Sequence, residues 1–383
     1  MPTQPPLPPL LAPYVSSLPP SSLIVLSTVL GAQGNWLTLR YLYAALNAAS
    51  ASDTALSLGE GHNGKKQKVV LVSFLRGWEF WRAEAKRLGL DLARLTDKRQ
   101  FAFVDGLSEL FSGPRTTPTT TTTTPQTTPP SLVPSPRGGP VPQRTILPSR
   151  STPGPIPARG PQPARGLAAV AAPAPLTPSA PSASPASSRE IGPVKRLHLS
   201  GKGPAALDRL EKDIAAVVAH VSGRATATAT AEAEGEDDSE VLLVLDQPDL
   251  LLAATGPSQE IGATEMTEWV MGLQQYVHAT VMTLAADLPL IHNASAAAHQ
   301  MPTPLETEHA AFAIGSAHRA HLVMQLRDLD TGAARDVSGV LRVSKGGAWG
   351  QSDNTDANGS WEEKEALYFV QRDGGVSVFG RGE

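Results

Sequence analysis

Ser22-Leu23-Ile24-Val25-Leu26-Ser27-Thr28-Val29-Leu30 runs directly into Gly31-Ala32-Gln33-Gly34-Asn35 and then into Trp36-Leu37-Thr38-Leu39-Arg40. The first run is apolar nearly throughout, as suits a strand covered on both faces near the centre of a parallel sheet. The second holds two glycines three apart. The third opens a helix, predicted over residues 36–49, in which Leu39, Leu42, Leu46 and Ala49 form one apolar stripe. Strand, glycine loop and helix are the layout of a phosphate-binding loop, where amides at a helix N-terminus cradle an anion. That chemistry also needs a closing Gly-Lys-Ser/Thr, whose Lys reaches the β/γ-phosphates and whose hydroxyl holds Mg²⁺. Here Asn35, Trp36 and Leu37 follow Gly34. The frame is complete and its phosphate-gripping end is missing. Gly31 and Gly34 are then expected to serve backbone geometry, and Trp36 to fill space that phosphates would otherwise take.

Composition sets the limits around this frame. The chain has 383 residues, a formal net charge of −4 and no cysteine. So small a charge does not mark a general nucleic-acid or membrane-surface binder. Without Cys there is no disulfide, thiolate metal site or thiol nucleophile, and a reducing compartment fits. The Pro-broken start lacks the basic region of a secretory signal. No apolar run approaches the ~20 residues of a membrane-spanning helix. A soluble, intracellular protein is expected.

The 35 prolines are unevenly spread. Residues 1–20 read as a Pro-rich disordered tail. Residues 113–193 carry an unbroken Thr run at 119–124 and then Pro/Ser/Ala repeats. Such a segment buries too little apolar surface to offset chain entropy, so it reads as a disordered insertion. Its seven arginines face one acid, Glu190. Residues 223–240 read as an acidic disordered loop. What remains, 21–112 and 194–383, reads as two parts of one domain.

Within those parts, further apolar strands are expected at 69–74, 101–105, 241–246, 279–287 and 320–326, with helices between them. Two of the strands end in Asp105 and Asp246, where open α/β sheets place polar site residues. Val241-Leu242-Leu243-Val244-Leu245-Asp246 has the Walker B pattern, in which the carboxylate orders Mg²⁺ through water. The segments 337–344, 366–370 and 376–379 add antiparallel strands, the last two joined across Asp373-Gly374. His299, His309, His318 and His321 lack the spacing and companions of a metal set. The pattern predicts an α/β fold: a RecA-like, mainly parallel β-sheet with helices on both faces and a C-terminal antiparallel hairpin region.

Four segments in order carry a resemblance. They are Val70-Leu71-Val72-Ser73-Phe74-Leu75-Arg76-Gly77-Trp78-Glu79-Phe80-Trp81, Phe103-Val104-Asp105-Gly106-Leu107-Ser108, Leu245-Asp246-Gln247-Pro248-Asp249, and Arg335-Asp336-Val337-Ser338-Gly339-Val340-Leu341. Together they resemble the fungal Elongator complex protein 6 family, over roughly 20–112, 194–222 and 241–383. The resemblance implies a RecA-fold subunit without the usual ATPase motifs, so no enzyme and no cofactor. It implies Elongator subunits 4 and 5 as partners in a hetero-hexameric ring. That ring belongs to the complex that adds carboxymethyl-type groups to wobble uridines of tRNA. It implies tRNA binding by the ring, no membrane, and a cytoplasmic and also nuclear location. Candidate tRNA contacts are the ordered arginines Arg76, Arg82, Arg335 and Arg342. Gly31, Gly34, Asn35 and Asp246 mark the degenerate nucleotide site.

Two other readings of the same residues stand beside this one. An atypical NTPase acting on nucleic acid would use Asp246, Asp105 and the loop amides without Lys. A RecA-like relative in DNA repair or circadian-type signalling would usually keep a better phosphate loop.

Overall fold

The quoted strand, β1 (Ser22–Thr28), lies inside a ten-stranded sheet. The structure, a computed structural model, describes residues 7–16, 18–54, 67–112, 192–223, 240–292, 301–329, 332, 334–350 and 361–380. The insertion expected at 113–193, save its last two residues, and the interior of the acidic loop lie outside these. Met1–Arg115 and Glu190–Glu383 form one compact unit, and Thr116–Arg189 falls outside the described residues.

In chain order, α1 (Ala12–Val15) and β1 lead to α2 (Asn35–Thr54), β2 (Gln67–Ser73), α3 (Trp78–Arg87), α4 (Leu92–Asp97) and β3 (Phe101–Asp105). Then come β4 (Lys195–Arg196), α5 (Gly203–Ser222), β5 (Glu240–Asp246), α6 (Leu250–Thr255), α7 (Ala263–Gln274) and β6 (Ala279–Ala285). The chain closes with α8 (Leu288–Ile291), α9 (Pro304–Arg319), β7 (Leu322–Arg327), β8 (Gly339–Lys345), β9 (Lys364–Val370) and β10 (Val376–Gly380). The strand order is β10-β9-β8-β7-β1-β6-β5-β2-β3-β4. Every pair from β7 through β4 is parallel, and β7 to β10 pair antiparallel. This is the RecA-like α/β class, with the antiparallel strands added at one edge.

Strand side chains alternate between two cores because successive residues point to opposite faces. Ile24, Leu26, Val69 and Leu71 join one cluster with Tyr14, Leu42, Leu46, Trp81 and Leu92, and with Leu341 and Tyr368 of the antiparallel strands. Leu23, Val25, Val70 and Val72 join the other with Leu210, Ile214, Leu251, Trp269 and Phe312. So α1 to α4 cover one face and α5, α6, α7 and α9 the other.

Three local features depart from the sequence pattern. The expected disordered tail is ordered over its described part: Leu11, Tyr14, Val15 and Leu18 are buried. The prolines there space apolar residues that cap the first core, and Pro13 lies in the first turn of α1, where a missing N–H costs no helical hydrogen bond. Tyr14 Oη donates to the Glu362 carbonyl at 2.7 Å and Trp361 Nε1 donates to the Pro13 carbonyl, tying this segment to the start of β9. Second, α2 continues to Thr54, beyond its apolar stripe. Third, α6 forms directly after Asp249, a short helix that no periodic pattern announces.

Candidate functional site

Sheet register builds the site. Asp105 lies beside Ser73, Ser73 beside Asp246, and Asp246 beside Thr283, each pair in parallel register. Four polar side chains on four neighbouring strands therefore stand in one row at the C-terminal edge, three of them as the last residues of β2, β3 and β5 and Thr283 two residues before the end of β6. Such an edge is where open α/β sheets bind ligands.

The Walker-B-like carboxylate of Asp246 is buried and fully engaged by the protein. Ser73 Oγ donates to its Oδ2 at 2.7 Å, and Thr283 Oγ1 donates to its Oδ1 at 3.1 Å. Arg76 Nη1 donates to Oδ1 at 2.9 Å and to Oδ2 at 3.3 Å. Burial pushes the Asp246 carboxyl upward from its usual range, while the Arg76 charge and the three hydrogen-bond partners oppose that rise. Arg76 is positioned by its own backbone, whose N–H donates to Ser73 Oγ at 2.9 Å, and by the Phe80 and Trp81 rings under its guanidinium. Gln247, the next residue after Asp246, has a φ of +56°, an uncommon conformation for a side chain of that size. Its N–H donates to Thr283 Oγ1 at 2.9 Å, which holds the turn. A guanidinium thus stands on the carboxylate that would order a metal.

The glycine loop is closed in a comparable way. The Leu30 N–H donates to Asp287 Oδ1 at 2.7 Å. Gly31 has a φ of +99°, and a β-carbon placed on it would lie 3.0 Å from Asp328 Oδ2. A β-carbon on Gly34 would lie 2.4 Å from the Thr28 methyl, so Gly34 marks a close approach of helix start to strand end. Two carboxylates therefore border the loop where a phosphate-binding site needs positive charge. Trp36 does not occupy that place. It turns into the first core, with its ring 5.1 Å from that of Tyr368 on β9. Among the described residues, the donors and charges at this edge do not fit a nucleotide with its Mg²⁺.

A second buried pair lies one turn further along. His309 on α9 and Asp249 are both 3% exposed, with Nε2 and Oδ2 3.1 Å apart. His309 Nδ1 faces the Leu290 carbonyl at 3.1 Å. Both ring nitrogens face acceptors, an arrangement that favours the doubly protonated ring. Burial lowers the pKa of His309, but the hydrogen bond and charge of Asp249, with the Leu290 carbonyl, more than offset it and leave the group raised. Asp249 Oδ2 also accepts the Ala285 N–H at 3.1 Å.

The remaining predicted positions are scattered. Asp105 Oδ1 caps its own turn, accepting the Leu107 and Ser108 amides at 2.9 Å each. Arg82 is exposed and pairs with Glu79 at 2.7 Å. Arg335 is exposed in the turn before β8. Arg342 is exposed on β8, between Leu341 and Val343, which belong to the first core, so it projects on the opposite face from them. The four arginines form no single patch. The pattern reading did not single out Ser73, Thr283 or His309 as partners of strand-end carboxylates. Their only signal was polar type at strand ends and on an amphipathic helix.

No family profile matches the chain, and no curated protein matches it. Among solved structures it is similar to the crystal structure of a KaiC-like protein from the hyperthermophilic archaeon Pyrococcus horikoshii, with 11% identity and a TM-score of 0.44 over 98% of this chain and 97% of that one. The fold assignment rests on the strand order and register given above.

Proposed function

We propose that this chain is a non-catalytic RecA-like subunit of the Elongator accessory ring. In this reading it assembles with Elongator subunits 4 and 5 into a hetero-hexamer and supports wobble-uridine modification through assembly and tRNA binding. The observation that carries the non-catalytic part is the Arg76–Asp246 pair, with the metal-ordering position taken by a guanidinium. The partner assignment is carried by the four sequence segments that resemble the family. Exposed apolar side chains support an assembly role. Leu30, Leu75, Leu107 and Leu288 follow β1, β2, β3 and β6 at the C-terminal edge and are 41–86% exposed. Apolar groups gathered at one edge suit a protein surface better than a phosphate.

Co-expression with subunits 4 and 5 tests this. The expected result is a co-purifying hetero-hexamer that binds tRNA, and an isolated chain without ATP hydrolysis. A chain that stays monomeric and fails to co-purify overturns the assembly reading. Hydrolysis by the isolated chain that Asp246→Ala abolishes favours the NTPase instead. Arg82, Arg335 and Arg342 have guanidinium groups open to solvent for phosphate contact, whereas that of Arg76 is held by Asp246. A true contact, when removed, lowers the salt slope of tRNA binding by about 1.

A further inference from the structure

Among the described residues, the buried charge of Arg40 has no counter-charge within ion-pair distance. Arg40, on the second turn of α2, is 1% exposed, and its Nε has no hydrogen-bond partner. Burial lowers its pKa to about 10, so the group stays charged at neutral pH. A buried guanidinium without an anion is among the costliest arrangements a fold can hold.

Arg40 lines a cavity of about 280 Å³ bounded by α2, α3 and the β9–β10 turn. Arg87 and Glu84 of α3 also line it, but they pair with each other at 2.7 Å and cancel. Arg372, exposed in the β9–β10 turn, adds a second unpaired cation, and Asn35 brings the first turn of α2 to the same space. The positive end of that 20-residue helix favours an anion there. Gln33 and Asn35 at the end of the glycine loop line this cavity, but neither Asp287 nor Asp328 does, so it opens beside the loop and away from the two carboxylates that border it.

We propose that this cavity is a phosphate site, in which Arg40 and Arg372 take the oxygens of one phosphate group beside the first turn of α2. Guanidinium forks match phosphate geometry, and two cations suit a dianion better than a single carboxylate. The volume falls just below the usual range for small-molecule pockets. The ligand is therefore a free phosphate or the terminal phosphate of a larger molecule. This inference stands independently of the assembly reading.

Thermal unfolding of the full chain tests it, with inorganic phosphate or adenosine 5′-monophosphate as probe. Adenosine and matched sodium chloride serve as controls. Both phosphates are expected to raise the melting temperature in a saturable way, because a ligand that binds only the folded state stabilises it. Arg40→Met removes the saturable shift, and Arg372→Gln weakens apparent affinity by roughly 10-fold or more, as loss of a charged hydrogen bond does. Tighter binding of the nucleotide assigns the ligand to a terminal phosphate, and equal binding assigns it to the free ion; both support the site. An equal shift in wild type and Arg40→Met overturns the proposal, as does no saturable shift in the wild type. If Arg40→Met does not fold, Arg372→Gln decides, because its exposed turn tolerates the change; unaltered affinity there overturns it.

Discussion

Replacing Arg76 by Met leaves the buried Asp246 carboxylate without its counter-charge. The two charges sit 2.9 Å apart, with Arg76 25% and Asp246 1% exposed. At an effective dielectric near 20, Coulomb attraction at that distance is about 6 kcal/mol. Hydration of the partly exposed guanidinium offsets part of it, and so does proton uptake by Asp246 once its partner is gone. A net loss of about 3 kcal/mol is expected near pH 8, at the lower end for breaking a buried pair. The pH dependence carries a sign. Burial raises the folded-state pKa of Asp246, and Arg76 opposes that rise. Without Arg76 the folded carboxyl holds its proton to higher pH. Stability of the variant is then greatest below the unfolded value of about 3.9 and falls as pH rises toward the raised folded value. The deficit against wild type should be smaller at pH 5 than at pH 8. Asp246→Asn should cost only about 1–2 kcal/mol, because an amide still serves Ser73 and Thr283 and Arg76 can turn to water. Urea unfolding followed by tryptophan fluorescence measures all three proteins. A stability for Arg76→Met within about 0.5 kcal/mol of wild type, or a deficit that does not change with pH, would refute the reasoning.

Gly34→Ala drives a β-carbon into the Thr28 methyl, 2.4 Å away, and should cost about 2 kcal/mol. Adding Thr28→Ser deletes that methyl and should recover most of the loss, read as melting temperature. The His309–Asp249 pair, with the His309 pKa raised, contributes stability below the unfolded value of about 6.5. That contribution is lost as pH rises through the raised value. The wild-type advantage over His309→Gln in denaturation midpoint should therefore shrink between pH 6 and 9, and a constant advantage would mean that the pair is uncharged. Trp36→Ala opens a cavity against Tyr368 and should cost about 3–5 kcal/mol, with no gain of ATP binding in calorimetry.

The layered sheet was legible because its signals are local. Apolar runs ending in Asp, amphipathic helices and the Asp373-Gly374 turn each declare themselves within a dozen residues. The site was legible only in part, because it is made by register. Ser73 and Asp246 lie 173 positions apart and meet only once β2 and β5 pair. Arg76 looked like a free basic residue in a loop; its partner is fixed by where β2 ends relative to β5. Trp36 was expected to fill the phosphate space from its position after Gly34. Helix phase, which sequence position does not give, turns it onto Tyr368 instead. The N-terminal prolines obscured the buried Leu11, Tyr14 and Leu18, in a segment tied down through Tyr14 and Pro13 to Glu362 and Trp361, 348 positions away.

The fate of the acids at the C-terminal edge bears on the proposal that the nucleotide frame is kept without its chemistry. Asp246 is held by Arg76, Ser73 and Thr283, Asp249 by His309 and the Ala285 amide, and Asp287 by the Leu30 amide. Each bond ties the end of a strand, or the loop after it, to a different element of the fold. Buried ion pairs contribute little net stability against well-packed apolar groups, yet removing one member is costly. They therefore act as constraints on geometry more than as sources of stability. In an open nucleotide site these acids must stay free to exchange between protein, metal and water. Here that freedom is given up, and the loops carrying Leu30, Leu75 and Leu288 are pinned from beneath while their apolar side chains stay exposed. A surface fixed below and apolar above is pre-organised for a rigid partner, because little ordering entropy remains to be lost when it is covered. On the proposed ring assembly, loosening a pin, as in Arg76→Met, should therefore weaken co-purification with the partner subunits as well as stability, even though Arg76 itself need touch no partner.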